Sequence, residues 1–300
     1  MAFPYLEDLV RYLTGLDLPL PIPMFGLSLV IAVMIAVHAM RVELRRLWDG
    51  GELQNSAVAS PRVTSREQLE DFVTSFGLWM LFTGVAGARL FSILENLPAL
   101  FADPASVILT RSGFNVIGGL VVATLVGIWL IRRAGLKVLP AMDAAGPAMM
   151  LGYALGRIGC QISGDGDWGL RANMAAKPSW LPTWLWAQTY EGNILGETIP
   201  APGVYPTPIW EITVGLLLFA LLWRLRAHPF TKGWLFALYV VLASLERLWI
   251  EPLRVNERYG PFDASQAQYL SAIALVVGLV FLVRLSRRRQ VTPADAEVAP

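Results

Sequence analysis

Long apolar blocks separated by short polar stretches run from Met24 to Leu285. A surface helix of a soluble domain would instead carry its apolar residues as a stripe at i, i+3, i+4 and i+7. Blocks of about 17–25 apolar residues are what a helix needs to cross a bilayer core, and these lack the alternation of barrel strands. The pattern predicts helices near Met24–Met40, Phe72–Leu97, Phe114–Ile131, Val138–Ile162, Pro208–Leu225, Gly233–Leu253 and Gln266–Leu285. A true helical stripe occurs once, at Leu6, Leu9, Val10 and Leu13, beside Glu7, Asp8 and Asp17. It lacks the basic start and apolar run of a cleavable signal. Residues 1–21 are therefore predicted to form a short interfacial helix that begins at Pro4.

Three connections stand out. Arg41–Asp71 is polar, with mixed charges and Gly50-Gly51, and reads as a solvated loop. Residues 161–207 are rich in Trp, Pro and Gly, whereas residues 287–300 are small, acidic and Pro-containing, as in a disordered tail. No internal repeat is visible, so residues 22–286 read as one membrane domain. Basic residues near helix ends set orientation. Alternate loops plus the C-terminus hold fifteen of them, from Arg41, Arg45 and Arg46 to Arg287, Arg288 and Arg289. The opposite set holds six: Arg11, Arg111, Arg171, Lys177, Arg254 and Arg258. That bias puts the C-terminus in the cytoplasm and the N-terminus outside. The 161–207 segment then lies on the outer face, where Trp180, Trp184, Trp186 and Tyr190 suit a headgroup-level arm. The plainer alternative is a floppy connecting loop. The expected fold is an all-α polytopic membrane protein of about seven transmembrane helices with an outer-face Trp-rich arm.

Composition agrees: 55% of the 300 residues are hydrophobic and 16% charged, with mean hydropathy +0.52, against about a quarter charged in soluble domains. A net charge of +1 gives no electrostatic case for nucleic acid. Cys160 is the only cysteine, so no intrachain disulfide is possible and the redox compartment stays open.

Three arginines, Arg89, Arg157 and Arg247, fall inside apolar helices. A charge there costs a few kcal/mol or more and marks a functional position by default; the bland alternative is snorkelling, or pairing with Glu95 or Glu251. Gly152, Gly156 and Gly159 make one nearly bare helix face beside Arg157, where a backbone or a lipid headgroup can approach closely. The helix then breaks into Ser163-Gly164-Asp165-Gly166-Asp167-Trp168-Gly169. The Asp-Gly-Asp turn lacks an EF-hand ligand set, and no metal is expected. Arg247, Glu251 and Arg254 share one face at i, i+4 and i+7, with Pro252 bending or ending that helix. Arginine's planar fork suits phosphate in a poorly hydrated site. Arg157 and Arg247, with Glu251 orienting the latter, would form a phosphate clamp for a phospholipid headgroup.

These residues carry a resemblance. Leu155-Gly156-Arg157-Ile158-Gly159-Cys160, followed by Gly164 and Gly169, resembles the signature of prolipoprotein diacylglyceryl transferases. In the family's order, Gly26-Leu27, Gly87-Ala88-Arg89-Leu90, Gly118-Gly119, Asp143 and Pro147 precede or lead into it. Pro206-Thr207-Pro208-Ile209-Trp210-Glu211 and Arg247-Leu248-Trp249-Ile250-Glu251 with Arg254 follow. The resemblance covers roughly Met24 to Arg254. It implies transfer of diacylglycerol from phosphatidylglycerol to the lipobox cysteine of a preprolipoprotein signal peptide in the bacterial inner membrane, with no cofactor.

On this reading Arg157 and Arg247 hold the phosphate, Glu251 fixes Arg247, and Asp165 or Asp167 shapes the loop near the glycerol. Arg89, Arg254, Gly118, Gly119, Gly164 and Gly169 complete the substrate contacts, and Cys160 is packing. The chain departs from the family where a His before the paired glycines, proposed as base, is Ile117. Phe25, Cys160 and Tyr205 replace a Tyr, an Asn and a His, and the signature loop is one residue longer. Three routes then remain for the thiol proton. The arginine field alone suffices, which is the favoured expectation; or an acid such as Asp167 or Glu251 works with a raised pKa; or activity is lost and the protein only binds lipid or lipoprotein. A small-solute transporter and a receptor-like seven-helix bundle are the alternatives outside the family.

Overall fold

The computed structural model describes residues 1–19, 21–55, 61–95, 97–103 and 115–287. Arg111, Phe114 and the tail from residue 288 onward, on which expectations above rest, lie outside the described residues. Helices dominate: α1 (Leu6–Thr14), α2 (Met24–Asp49), α3 (Arg66–Glu95), α4 (Leu97–Ala102), α5 (Val116–Arg133), α6 (Val138–Ser163), α7 (Thr207–Arg224), α8 (Trp234–Ile250) and α9 (Gln266–Ser286). No β-strand occurs among the described residues, only isolated bridges. Among the described residues, four helices, α2, α3, α7 and α9, are long and apolar enough to cross a membrane. Their outward side chains, such as Met34 on α2, Phe82 on α3, Leu217 on α7 and Val276 on α9, are more than half exposed. That is the surface expected where lipid, not protein, is the neighbour.

Two expectations are corrected. The Arg41–Asp71 connection is not mainly loop, because α2 continues to Asp49 and α3 starts at Arg66. Arg45 pairs with Glu70, and Arg41 Nη2 donates to Thr74 Oγ1 at 2.9 Å, so charges between the two extensions compensate each other. Nor does Pro4 begin α1. Its carbonyl accepts from Met24 N–H at 2.8 Å, and the helix begins at Leu6, with Tyr5 N–H donating to Asp8 Oδ2 at 3.0 Å.

The chain forms two compact units, residues 37–142 and residues 1–36 with 143–300. In the first, small residues let α3 and α5 meet closely. A Cβ on Gly87 would lie 2.6 Å from Val122 Cβ, and one on Gly119 would lie 2.7 Å from the Gly84 carbonyl. In the second, α6, α7 and α8 pack around Met150, Leu222 and Leu235, all almost fully buried.

Asp143, near the start of α6, caps α8 from outside: its carboxylate accepts from Gly233 N–H at 2.7 Å and Phe236 N–H at 2.9 Å. These are orphan donors of the first helical turn, and the positive end of the helix dipole favours the anion. At the far end of α6, Gly159 and Gly152 let α2 approach; Cβ atoms there would sit 3.1 Å from Ser28 and 3.2 Å from Ala36. Gly156, on the same face, has no such neighbour within 4 Å among the described residues.

Residues 164–206 are tied down by polar contacts at many points. Gly169 N–H donates to the Tyr205 carbonyl at 2.8 Å, and Gln188 and Val204 exchange backbone bonds at 3.0 and 2.9 Å. Tyr190 is buried with Trp168 and Ala2, and Trp186, Tyr205 and Trp210 form an aromatic cluster. Trp180 and Trp184 instead remain 78% and 59% exposed.

Candidate functional site

The break at the end of α6 brings the signature loop against the starts of α7 and the turn after α8. Gly164 makes the turn possible by adopting φ +59°, a region that disfavours other residues. Gly169 is fixed for a different reason: a Cβ there would lie 2.6 Å from the Leu253 carbonyl and 2.8 Å from Thr207. Leu170 N–H bonds that same carbonyl at 2.7 Å, so the loop is seated directly on the turn that carries Arg254. Both glycines were expected to contact substrate. The space beside them is filled by protein, and what they permit is the placement of Asp165 and Asp167.

Glu211, fully buried in the second turn of α7, is the centre of the arrangement. Its Oε1 lies 3.2 Å from Arg157 Nη2 and 3.5 Å from Arg247 Nη1, and its Oε2 lies 3.2 Å from Arg254 Nη1. Asp167 pairs with Arg157 through one oxygen and with Arg254 through the other. Glu251 Oε2 lies 2.7 Å from Arg247 Nη2. Its Oε1 accepts from Asn256 and from the Ser265 hydroxyl at 2.6 Å each. Ser265 also caps α9, receiving Gln268 N–H at 3.2 Å, so the first turn of α9 helps to hold Glu251. Thr207 Oγ1 donates to the Asp167 carbonyl at 2.8 Å and fixes the loop to the start of α7.

The site thus gathers Arg157 and Asp167 from one segment and Arg247, Glu251 and Arg254 from another, around Glu211 from a third. Asp165 stays one step away, its carboxylate accepting from Asp167 N–H at 3.2 Å. Burial, with the Asp167 charge beside it, pushes the Asp165 carboxyl above its ordinary range. Burial acts on Asp167 in the same direction, but Arg157 and Arg254 outweigh it and hold that carboxyl below the ordinary range. Asp167 is therefore not the acid of raised pKa considered above. Cys160 Sγ and the two aspartates present ligand atoms within 4.8 Å of one another. With both Asp167 oxygens already engaged by guanidinium groups, a cation there would have to displace them.

The arginines are not an uncompensated positive field, as the sequence had led us to expect. Three guanidinium groups face three carboxylates, Glu211, Asp167 and Glu251. Yet their donors are not exhausted: Nε of Arg157 and Nε of Arg254 are buried without a hydrogen-bond acceptor among the described residues. Buried donors of this kind are costly when unpaired, and guanidinium Nε–H with its neighbouring Nη–H is the fork that receives a phosphate or carboxylate.

Arg89, Gly118 and Gly119 belong to the other unit. Arg89 is half-buried on α3. Gly118 and Gly119 face Phe91 and the Gly84 carbonyl of α3, so both are helix-contact positions. Asn115 caps α5, its side chain accepting Gly118 N–H at 3.0 Å and donating to Glu95 Oε1 at 2.5 Å. The sequence reading missed Glu211, Glu246 and Tyr153 as site residues. Tyr153 lies under Arg157, whose guanidinium carbon is 5.2 Å from its ring centre. Acids inside apolar helices carry the same functional warrant as arginines; applied to both signs, that test selects Glu211 and Glu246.

A model of the family described as prolipoprotein diacylglyceryl transferase matches residues 12–284. The chain belongs to the prolipoprotein diacylglyceryl transferase family. Among individual relatives, the phosphatidylglycerol–prolipoprotein diacylglyceryl transferase of Frankia alni is 28% identical over 94% of this chain and 67% of its own length. That of Corynebacterium efficiens is 25% identical over 94% of this chain and 82% of its own. That of Lysinibacillus sphaericus is 26% identical over 87% and 94%. The family match spans the signature loop, Glu211 and the Arg247–Arg254 turn, so the transferase family and the buried charge cluster occupy the same stretch of chain.

Proposed function

We propose that this protein transfers the diacylglyceryl group of phosphatidylglycerol to the lipobox cysteine thiol of preprolipoproteins, the step that begins lipoprotein maturation. A thioether forms and glycerol phosphate leaves. The observation that carries this reading is the arginine cluster around Glu211, with buried, acceptor-free Nε–H groups on Arg157 and Arg254. Family membership supplies the reaction class.

In this scheme Arg157 and Arg247 grip the headgroup phosphate and Arg254 adds a third guanidinium. Glu251 and Asp167 hold the guanidinium planes in place. Preorganised donors aimed at the oxygen that gains charge stabilise the transition state without reorganisation. The phosphate enters a site whose charges are already balanced, so it must take guanidinium contacts from Glu211 or Asp167. Arg247, at 23% the most exposed of the three side chains, is the first it meets.

The same reading places the protein in the bacterial inner membrane as one domain, residues 22–286, with seven spanning helices. The N-terminus, the interfacial helix and the 161–207 arm lie on the outer face, and the C-terminal tail is cytoplasmic. Exposed Trp180 and Trp184 support an arm that rests in the headgroup layer.

The test is direct. Purified protein receives phosphatidylglycerol and a lipobox peptide, and peptide mass and released glycerol phosphate are followed. A diacylglyceryl mass gain supports the reading. Bound lipid without product moves the protein to a lipid- or lipoprotein-binding role.

A further inference from the structure

Glu246 and Tyr153 are not used by the scheme above, yet they sit against its centre. Tyr153 Oη lies 2.7 Å from Glu211 Oε1 and 3.0 and 3.1 Å from the two oxygens of Glu246. Glu211 is fully buried and Glu246 is 6% exposed. A phenol carries one hydrogen. Directed at the nearer Glu211, it leaves the contacts to Glu246 without a proton unless Glu246 brings its own.

Charge leads to the same place. Arg157, Arg247 and Arg254 are matched by Glu211, Asp167 and Glu251, and Glu246 forms no ion pair among the described residues. A buried carboxylate that has no ion pair of its own and meets a second carboxylate across one hydroxyl neutralises rather than stay charged. Both arguments make Glu246 a carboxylic acid, hydrogen-bonded through a tyrosine to an arginine-bound carboxylate.

We propose that Glu246, Tyr153 and Glu211 form a proton store for the transfer reaction. The proposal rests on the transferase reading. As sulfur bonds to the glyceryl carbon, the carbon–oxygen bond breaks and its electron pair stays on the phosphate oxygen. Glu246 passes its proton through the Tyr153 hydroxyl to Glu211, and Glu211 hands it to the departing phosphate, which would otherwise leave as a dianion. The thiol proton restores the store. The products are the thioether and singly protonated glycerol phosphate, and no outside acid or base is consumed.

The need is real in this chain. Its two histidines are His38 and His228. His228 lies against Asp143, which is fourteen residues before Arg157 on α6, about 21 Å along the axis at 1.5 Å per residue. His38 is exposed on α2. The groups facing Glu246 that titrate or carry charge are Tyr153 and Arg157 on α6, Glu211 on α7 and Arg247 on its own helix, with Asp167 and Arg254 beyond them.

Glu246 acts through Tyr153, so its test must read more than lost activity. The full-length protein is assayed with phosphatidylglycerol and lipobox peptide as wild type, Glu246→Gln, Glu246→Asp and Tyr153→Phe. Glu246→Gln is expected to lower kcat by at least about 100-fold, within the range of acid–base groups, with KM for phosphatidylglycerol unchanged. The alkaline fall of the wild-type kcat profile disappears in this variant, Glu246→Asp recovers part of the rate, and Tyr153→Phe behaves like Glu246→Gln. Infrared spectra at neutral pH show a protonated-carboxyl band in the wild type that is missing from Glu246→Gln. Wild-type kcat and pH profile in folded Glu246→Gln overturn the proposal, as does an unchanged carboxyl band. Absence of product from the wild type overturns the transferase reading instead, and the infrared band then decides the protonation of Glu246 by itself.

Discussion

The two ends of α6 each bury charge, and they do it in opposite ways. Near its start, Asp143 spends its carboxylate on two amide donors of α8, with His228 beside it at 3.6 Å. Near its end, Arg157 joins a cluster of three arginines in which, among the described residues, two Nε–H groups lack an acceptor and a fourth carboxyl forms no ion pair. A buried charge whose obligations are met within the fold is a structural device. One surrounded by spare donors is prepared for something that arrives. Burial alone does not separate these cases; what is left unfilled does, one imidazole Nδ1 of His228 beside Asp143 against two guanidinium Nε–H groups at the arginines.

The largest expected effect falls on chemistry at the unfilled end. Arg157→Ala and Arg247→Ala each lower the rate of diacylglyceryl transfer by about 100-fold or more, the usual loss for a preorganised donor to a developing oxyanion. Peptide mass and glycerol phosphate release measure it. Arg157→Lys does not restore the rate, because an ammonium has no fork with which to span two phosphate oxygens. Retention of the wild-type rate in Arg157→Ala would make the cluster structural, like the Asp143 end.

Next comes stability at the centre of the cluster. Glu211→Ala leaves three guanidinium groups facing two carboxylates in a buried site and costs about 3–5 kcal/mol, measured by denaturant unfolding in detergent. Glu211→Gln costs less because the amide oxygen still accepts. At the other end Asp143→Ala removes only a helix cap, at about 1 kcal/mol. Activity per folded molecule stays at the wild-type level. That split, activity lost at one end of α6 and stability alone at the other, is the sharpest form of the comparison.

Much of this was legible beforehand, and the reason is instructive. The bilayer removes water as a partner, so helices had to appear as long apolar runs, and the starts of α2, α6 and α9 fall at Met24, Val138 and Gln266 as the pattern indicates. Arg157, Arg247, Glu251 and Arg254 stood out because charge inside such runs is rare. The extension of α2 to Asp49 was not legible, since a polar helix held by Arg41, Arg45 and Glu70 has no hydrophobic signature. Glu211 was hidden for another reason: it sits in a Pro-containing start that reads as an end of helix, and its three arginine partners come from a loop and two helices remote in sequence. Pairing across such distances is tertiary information. The glycines misled in the opposite direction, for Gly118, Gly119 and Gly169 are needed by neighbouring protein atoms, and a bare residue looks the same whether its neighbour is a lipid or a helix.

The smallest effect concerns the two loop aspartates, and pH separates them. Arg157 and Arg254 hold the Asp167 carboxyl below its ordinary range. Its folded pKa is thus lower than its unfolded one, about 3.9, and the stabilisation is complete above that value and lost as pH falls through the folded pKa. Burial does the reverse to Asp165, raising its folded pKa. Its contribution is present below the unfolded pKa and is lost as pH rises through the folded one. Asp167→Asn therefore lowers unfolding free energy at pH 7 and loses that penalty in strong acid. Asp165→Asn does not lower it at pH 7, because it removes a charge the site holds at a cost. Unfolding curves at pH 7 and in strong acid settle the matter. Equal pH dependence in the two variants would mean that the arginines do not distinguish neighbouring carboxyls, and that the cluster is looser than its geometry implies.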